Sequence, residues 1–86
     1  MQRGWVVSPD YRALIEALAA IRQSEGISQR ELARRVGKAP SFINKIELLE
    51  RRLDVLEFIV IAEAMGRMPH ELMRILRLNL EPEISL

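Results

Sequence analysis

Ser41, Asn44 and Lys45 carry polar side chains at a spacing that places residues on one face of an α-helix. An asparagine amide can form paired hydrogen bonds with adenine, and a lysine ammonium can reach guanine or a phosphate oxygen. A serine hydroxyl can bond to a base or to the DNA backbone. These residues therefore predict a helix whose outward face contacts the major groove of DNA.

The residue combinations of an enzyme active site are missing from the sequence. His70 is the only histidine and there are no cysteines, so no zinc-ligand set and no Cys–His pair can form. Ser41 has no partner histidine to activate its hydroxyl, and no glycine-rich phosphate loop is present. We expect a protein without enzymatic activity, cofactor or metal.

Charge is distributed unevenly along this chain of 86 residues and net charge +1. Residues 28–52 contain seven basic and three acidic side chains, whereas residues 53–86 contain three basic and six acidic ones. The positive charge thus coincides with the polar helix, as attraction to phosphate requires. A solvated helix face would produce the same charge pattern.

The compartment is indicated by what the sequence lacks. The longest apolar run, residues 58–62, is too short to cross a membrane, and the first residues lack the apolar length of a signal peptide. A chain without cysteine suits a reducing compartment. We therefore expect a cytoplasmic protein that does not associate with membranes.

Helix-start residues and apolar spacing predict five helices. The residues that mark the starts are Ser8, Ser28, Pro40, Asp54 and Pro69. Glu31 and Glu57 complete predicted capping boxes with the second and fourth of these. The predicted apolar side of the fifth helix consists of Leu72, Met73, Ile75 and Leu76. The expected fold is an all-α, compact five-helix bundle containing a helix-turn-helix, with a turn at Gly37.

Residues 14–76 resemble the Cro and phage-repressor helix-turn-helix family. The resemblance rests on the order and spacing of Gln29, Leu32, Ala33, Gly37, Ile43, Ile46 and Glu47. It implies a lambda-repressor-like DNA-binding domain over residues 8–78, preceded by an arm over residues 1–7 and followed by a tail over residues 79–86. It also implies double-stranded DNA as the partner.

The resemblance assigns roles to the matching positions. The implied DNA-contact residues are Gln29, Lys38, Ala39, Pro40, Ser41, Asn44, Lys45, Arg51 and Arg52. Gln29 is expected to hold a phosphate, and Arg51 and Arg52 are expected to touch the DNA backbone. Arg22 and Glu47 are expected to form a structural salt bridge between the first and third helices.

Three positions depart from the family pattern. Leu49 replaces the usual glycine, and because a left-handed leucine costs about 1–2 kcal/mol, we expect the third helix to continue through residues 48–50 instead. Ala39 and Pro40 replace polar residues and can contact a thymine methyl group, but they cannot hydrogen-bond a base. Lys38 replaces an apolar residue in the turn.

Apolar residues outside the motif suggest self-association. They are Trp5, Val6, Val7, Val60, Leu78, Leu80, Ile84 and Leu86. We expect the arm, the fifth helix and the tail to form a homodimer interface that lets two copies bind an inverted-repeat operator, most simply as a repressor. A regulatory partner protein, and a phage, restriction–modification or toxin–antitoxin setting, remain open. The alternative is an interaction module that keeps this fold but no longer reads DNA.

Overall fold

The structure, a computed structural model, describes residues 7–86. Its helices are α1 (Pro9–Ser24), α2 (Gln29–Arg35), α3 (Ser41–Glu47), α4 (Val55–Ala64) and α5 (Pro69–Leu78). The helix pairs that pack together are α1–α3, α3–α2, α2–α4, α4–α5 and α5–α1, so the five helices form a closed ring around one core. No strand occurs among the described residues, and the predicted all-α fold with five helices is confirmed.

Side-chain caps fix the starts of three helices. The Ser8 hydroxyl accepts a hydrogen bond from the Tyr11 amide at 3.1 Å, and the Asp54–Glu57 pair forms the complete predicted capping box. The Ser28 hydroxyl accepts a hydrogen bond from the Glu31 amide at 3.0 Å. The second hydrogen bond of the predicted capping box, from the Ser28 amide to the Glu31 carboxylate, does not form, so this part of the prediction was wrong. The Glu31 carboxylate instead binds arginines of its own helix, because they lie one turn further along the same face.

Apolar residues from all five helices and three of the connections between them form the core. The buried members are Ile15, Leu18, Ile27, Leu32, Ala33, Ile43, Ile46, Leu49, Phe58, Ile61, Ala62, Met65, Leu72 and Leu76. The prediction was wrong for one residue of the apolar side of α5, since Met73 is 48 % exposed. Leu72 and Leu76, one turn apart, point to the centre, while Met73 lies to the side of them and borders a groove beside Val55.

The tail folds back onto the start of α1. The Arg77 guanidinium donates to the carbonyl oxygens of Glu81 and Pro82 at 3.1 and 3.0 Å, and the Ser85 amide donates to the Asp10 carboxylate at 2.8 Å. These bonds hold residues 79–86 near α1 within one chain. Val7 packs against the core. The rest of the predicted arm, including Trp5 and Val6, lies outside the described residues.

Within residues 7–86, no helix combines the length and the apolar character needed to cross a membrane.

Candidate nucleic-acid interface

The turn between α2 and α3 allows the two helices to pack closely. Gly37 has a φ of 74°, and the next amide, of Lys38, donates to the Ala33 carbonyl at 2.9 Å. A residue without a side chain adopts this left-handed conformation at little cost. Ala33 is fully buried where α2 packs into the core, and its small side chain leaves room for α3. The chain therefore turns within a few residues and presents α3 at the surface.

Helix α3 has one buried side and one outward side. Ile43 and Ile46 are each 2 % exposed and anchor the helix to the core. Ser41 and Lys45 are exposed and Asn44 is half-buried. Their spacing of three and four residues places these polar groups on adjoining parts of the outward side. The structure thus brings together the three residues that the sequence singled out for base recognition.

Glu47 receives hydrogen bonds from two other helical segments. The Arg22 guanidinium donates to both carboxylate oxygens, at 2.7 Å from Nε and 3.0 Å from Nη2. Arg22 is 7 % exposed, and its Nη1 also donates to the Ile27 carbonyl at 2.8 Å. A paired and hydrogen-bonded arginine can be buried without leaving an unsatisfied charge. The network ties the end of α3 to α1.

Gln29 joins this network, a contact that sequence reasoning missed. Its Nε2 donates to Oε1 of Glu47 at 2.7 Å, so the expected phosphate ligand is also bound to the end of α3. The amide has two N–H donors, and one hydrogen bond to Glu47 leaves the second for another acceptor. No local pattern indicated this contact, because Gln29 begins α2 whereas Glu47 ends α3.

The turn before α3 exposes the three remaining predicted contact residues of this region, Lys38, Ala39 and Pro40. The Lys38 Nζ lies 5.7 Å from the centre of the Phe42 ring, within cation–π distance. Pro40 occupies the N-cap position of α3 and forms no side-chain cap. The predicted start of α3 at about Pro40 therefore falls one residue before the observed first helical residue, Ser41.

Helix α3 does not continue past Glu47 as we expected from Leu49. Leu49 adopts a φ of 62°, and the Glu50 amide donates to the Lys45 carbonyl at 2.9 Å to close the helix end. The expectation was wrong because it counted only the backbone strain. The Leu49 side chain is 5 % exposed, and burying it in the core outweighs that strain. Leu48, in turn, is left 53 % exposed on the outward side.

Arg51 and Arg52 follow the helix but differ in their surroundings. Arg51 pairs with the Glu57 carboxylate at 2.8 and 2.5 Å and lies 4.8 Å from the centre of the Phe42 ring. These hydrogen bonds raise the pKa of Arg51 and lower the pKa of Glu57. Arg52 is exposed, with its guanidinium 4.9 Å from the centre of the Tyr11 ring. Both arginines therefore contact other groups of the protein, and their expected contacts with the DNA backbone stay predictions.

Two exposed arginines of α2, Arg34 and Arg35, pair with Glu31 on the protein surface. Hydrogen bonds from Arg34 and Arg35 lower the pKa of Glu31 from 4.5 to about 2. Arg35 also donates to the Ala64 carbonyl at 3.0 Å and so ties α2 to the end of α4. In residues 7–86 no group of three or more His, Asp or Glu side chains is arranged to hold a metal ion. His70 is an exposed residue of α5.

A family model for helix-turn-helix proteins matches residues 18–72, which is more than half of the chain. This chain belongs to the Cro/C1-type helix-turn-helix family. The matched segment contains the whole of α2, the turn and α3, and extends into α5. The fold and the spacing noted in the sequence thus identify a helix-turn-helix regulator that binds DNA.

Two solved structures are similar to this helix-turn-helix chain. An XRE-family like protein from Pseudomonas syringae pv. tomato is 42 % identical, with a TM-score of 0.73 over 80 % of this chain and 84 % of its own. A hypothetical transcription factor, NHTF, from Neisseria is 21 % identical, with a TM-score of 0.65 over 90 % of this chain and 97 % of its own, and supports the fold alone. No curated protein matches the sequence.

Proposed function

We propose that this helix-turn-helix protein is a sequence-specific transcription regulator that binds an inverted-repeat operator as a homodimer. The observation that carries the proposal is the outward stripe of Ser41, Asn44 and Lys45 on a helix whose opposite side is anchored in the core. A rigidly held helix can present hydrogen-bonding groups to base edges without a loss of backbone freedom on binding. The same site contains no feature of a catalytic centre, and we propose a non-enzymatic role.

Gln29 and Arg52 would complete the interface as contacts to the DNA backbone. The Gln29 amide is already oriented by Glu47, so its second N–H can donate to a phosphate without losing the first hydrogen bond. Arg52 brings a positive charge to the segment that follows α3. Backbone contacts of this kind set the register of a protein on the duplex, while base contacts select the sequence.

The dimer is supported by apolar side chains that the fold leaves in solvent. Val55 and Leu56 of α4 are 76 % and 70 % exposed, and Val60, Met73 and Leu78 are also exposed. Val55 and Met73 border one groove, and Leu56 and Val60 border another. Exposed apolar residues in such numbers commonly mark a protein interface. We therefore propose that α4 and α5 contribute more to the dimer than the tail does, since the tail is bonded to α1.

The dimer can be tested with Val55→Asp, which introduces a charge on this face. Val55 is the first residue of α4, where a negative charge is favourable to the helix, so the variant should fold. We expect a monomer by sedimentation and weaker binding to an inverted repeat. Ala20→Asp places the same charge on an exposed position of α1 and should stay dimeric. An unchanged dimer in the Val55 variant would exclude this face.

Selection from a random double-stranded DNA library at about 150 mM salt tests the function directly. We expect an enriched inverted repeat whose half-site centres lie about 34 Å apart or a multiple of that distance. Arg52→Ala should lower the number of phosphates that the protein neutralises by about one and so make binding less dependent on salt. Arg74→Ala, which removes an exposed arginine of α5, should leave the salt dependence unchanged. Failure to enrich any sequence with folded protein would refute the proposal.

Repression by excluding polymerase from an overlapping promoter is the simplest mode of action for such a protein. Its place of action is the cytoplasm, where this DNA lies.

A protein-interaction module is the competing function, favoured by the exposed apolar face of α4 and by the pairing of Arg51 with Glu57. Such a module would bind a protein partner with little dependence on salt, whereas DNA binding weakens steeply as salt is added.

A further inference from the structure

The loop between α3 and α4, residues 48–54, is held to the rest of the protein on both sides of Arg52. On one side, the Arg51 guanidinium donates to the Glu57 carboxylate, and also to the Arg52 carbonyl at 2.9 Å. On the other side, the Leu53 amide donates to the Tyr11 hydroxyl at 3.1 Å. The backbone that carries Arg52 is therefore fixed, although the Arg52 side chain is exposed.

Tyr11, in the first turn of α1, contacts this loop in two ways. Its hydroxyl accepts the hydrogen bond from Leu53, which lies forty-two positions later in the chain. The centre of its ring lies 4.9 Å from the Arg52 guanidinium, within cation–π distance. Tyr11 is half-buried and packs against the core. It thus supports both the backbone and the charged group of the loop from a helix that is itself anchored.

Core packing alone does not require a tyrosine at position 11. The next inward residues of α1 are Leu14, Ile15 and Leu18, and all three are aliphatic. An aliphatic side chain at position 11 would also pack against the core, but it would offer neither an acceptor to the Leu53 amide nor a ring to Arg52. The features that distinguish tyrosine from its neighbours on α1 are therefore the ones that contact the loop.

An arginine that is ordered before binding loses less side-chain freedom when it contacts DNA. A guanidinium that lies on an aromatic ring can still direct its N–H groups to phosphate oxygens. We propose that Tyr11 is a positioning residue, which holds Arg52 in place for the phosphate that Arg52 is expected to contact. This inference rests on the proposed function, and it adds a residue of α1 to those that determine the affinity for DNA.

A double-mutant cycle on the selected operator tests this role, with affinity measured by fluorescence anisotropy and folding checked by circular dichroism. We expect Arg52→Ala to weaken binding roughly tenfold, through the loss of one charged hydrogen bond. Tyr11→Leu should weaken it roughly two- to tenfold, because Arg52 must then be ordered on binding. In protein that already carries Arg52→Ala, Tyr11→Leu should change the affinity by less than about twofold.

Two further variants separate positioning from packing. Tyr11→Phe keeps the ring beside Arg52 but loses the acceptor for the Leu53 amide, so its affinity should lie between those of the unaltered protein and Tyr11→Leu. Leu14→Ala is the matched control, because it removes a partly buried side chain one turn further along α1. Its effect on affinity should be the same with and without the Arg52 side chain.

The outcomes that overturn this inference differ from the one that overturns the proposed function. If Tyr11→Leu has the same effect with and without the Arg52 side chain, or no effect at all, Tyr11 does not act through Arg52. If Arg52→Ala binds the operator as tightly as the unaltered protein, there is no contact to position, and the proposed function stays intact. Absence of any sequence-specific binding by folded protein would refute the proposed function and this inference together.

Discussion

Backbone strain and side-chain packing act in opposite directions at Leu49. Its φ of 62° lies in the left-handed region, which costs a residue with a side chain about 1–2 kcal/mol. Its side chain is 5 % exposed, and truncation of such a buried leucine to alanine typically costs about 2–5 kcal/mol. Packing is the larger contribution, which explains how leucine occupies a position that suits glycine.

Two substitutions at this position separate the contributions. Leu49→Ala loses the packing but keeps the strain, so we expect it to destabilise the fold by about 2–5 kcal/mol. Leu49→Gly loses the same packing but recovers about 1–2 kcal/mol of strain, less about 0.5–1 kcal/mol for the greater freedom of the unfolded chain. The glycine variant should therefore be as stable as the alanine variant, or more stable by up to about 1.5 kcal/mol.

Urea unfolding followed by circular dichroism measures both free energies of unfolding. Ile46 is the matched control, because it is 2 % exposed and lies within α3. There we expect Ile46→Gly to be less stable than Ile46→Ala by about 1 kcal/mol. If glycine is worse than alanine by the same margin at position 49, the backbone there is not left-handed and the reasoning fails. The folded fraction of Leu49→Gly should retain DNA binding, because the side chain faces the core.

Three further predictions concern charge and recognition. Hydrogen bonds from Arg51 lower the pKa of Glu57 in the folded protein. Below about pH 4.5 the unfolded chain therefore binds more protons than the folded chain, so the free energy of unfolding should fall as the pH drops. Glu57→Gln should make this fall shallower in acid titrations. Asn44→Ala should weaken specific binding by roughly 1–3 kcal/mol without changing affinity for random DNA, and equal losses on both would show that no base is read. Arg22→Met or Glu47→Met alone should each lower the free energy of unfolding by about 3–5 kcal/mol. The double variant should lower it by clearly less than the sum of the two single losses. Additive losses would contradict a coupled pair.

Features that depend on neighbouring residues were readable from the sequence. The stripe of Ser41, Asn44 and Lys45 follows from helical periodicity, which is a local property of the chain. The Asp54–Glu57 capping box spans four residues, and the structure contains both of its hydrogen bonds. The five helices were predictable for the same reason, since helix starts, turn glycines and apolar spacing act over one or two turns.

Contacts between distant residues required the tertiary structure. Gln29 binds Glu47 across eighteen positions, and the sequence suggested only that Glu47 pairs with Arg22. Arg51 is expected to contact a phosphate, which stays a prediction, and its pairing with Glu57 in the first turn of α4 could be seen only in the structure. An arginine can satisfy its charge with a carboxylate or with phosphate, and only the path of the chain decides which lies within reach.

Leu49 marks the boundary between the two kinds of information. Local propensity correctly indicated that a left-handed leucine is unfavourable, and on that basis it predicted a longer α3. Where the helix ends depends on the free energy gained by burying the Leu49 side chain among residues from other helices. This gain requires the packed core, so local propensity could not include it. The sequence by itself determined the helices and the outward polar face of α3, while the packed core decided where α3 ends and which charged groups pair with one another.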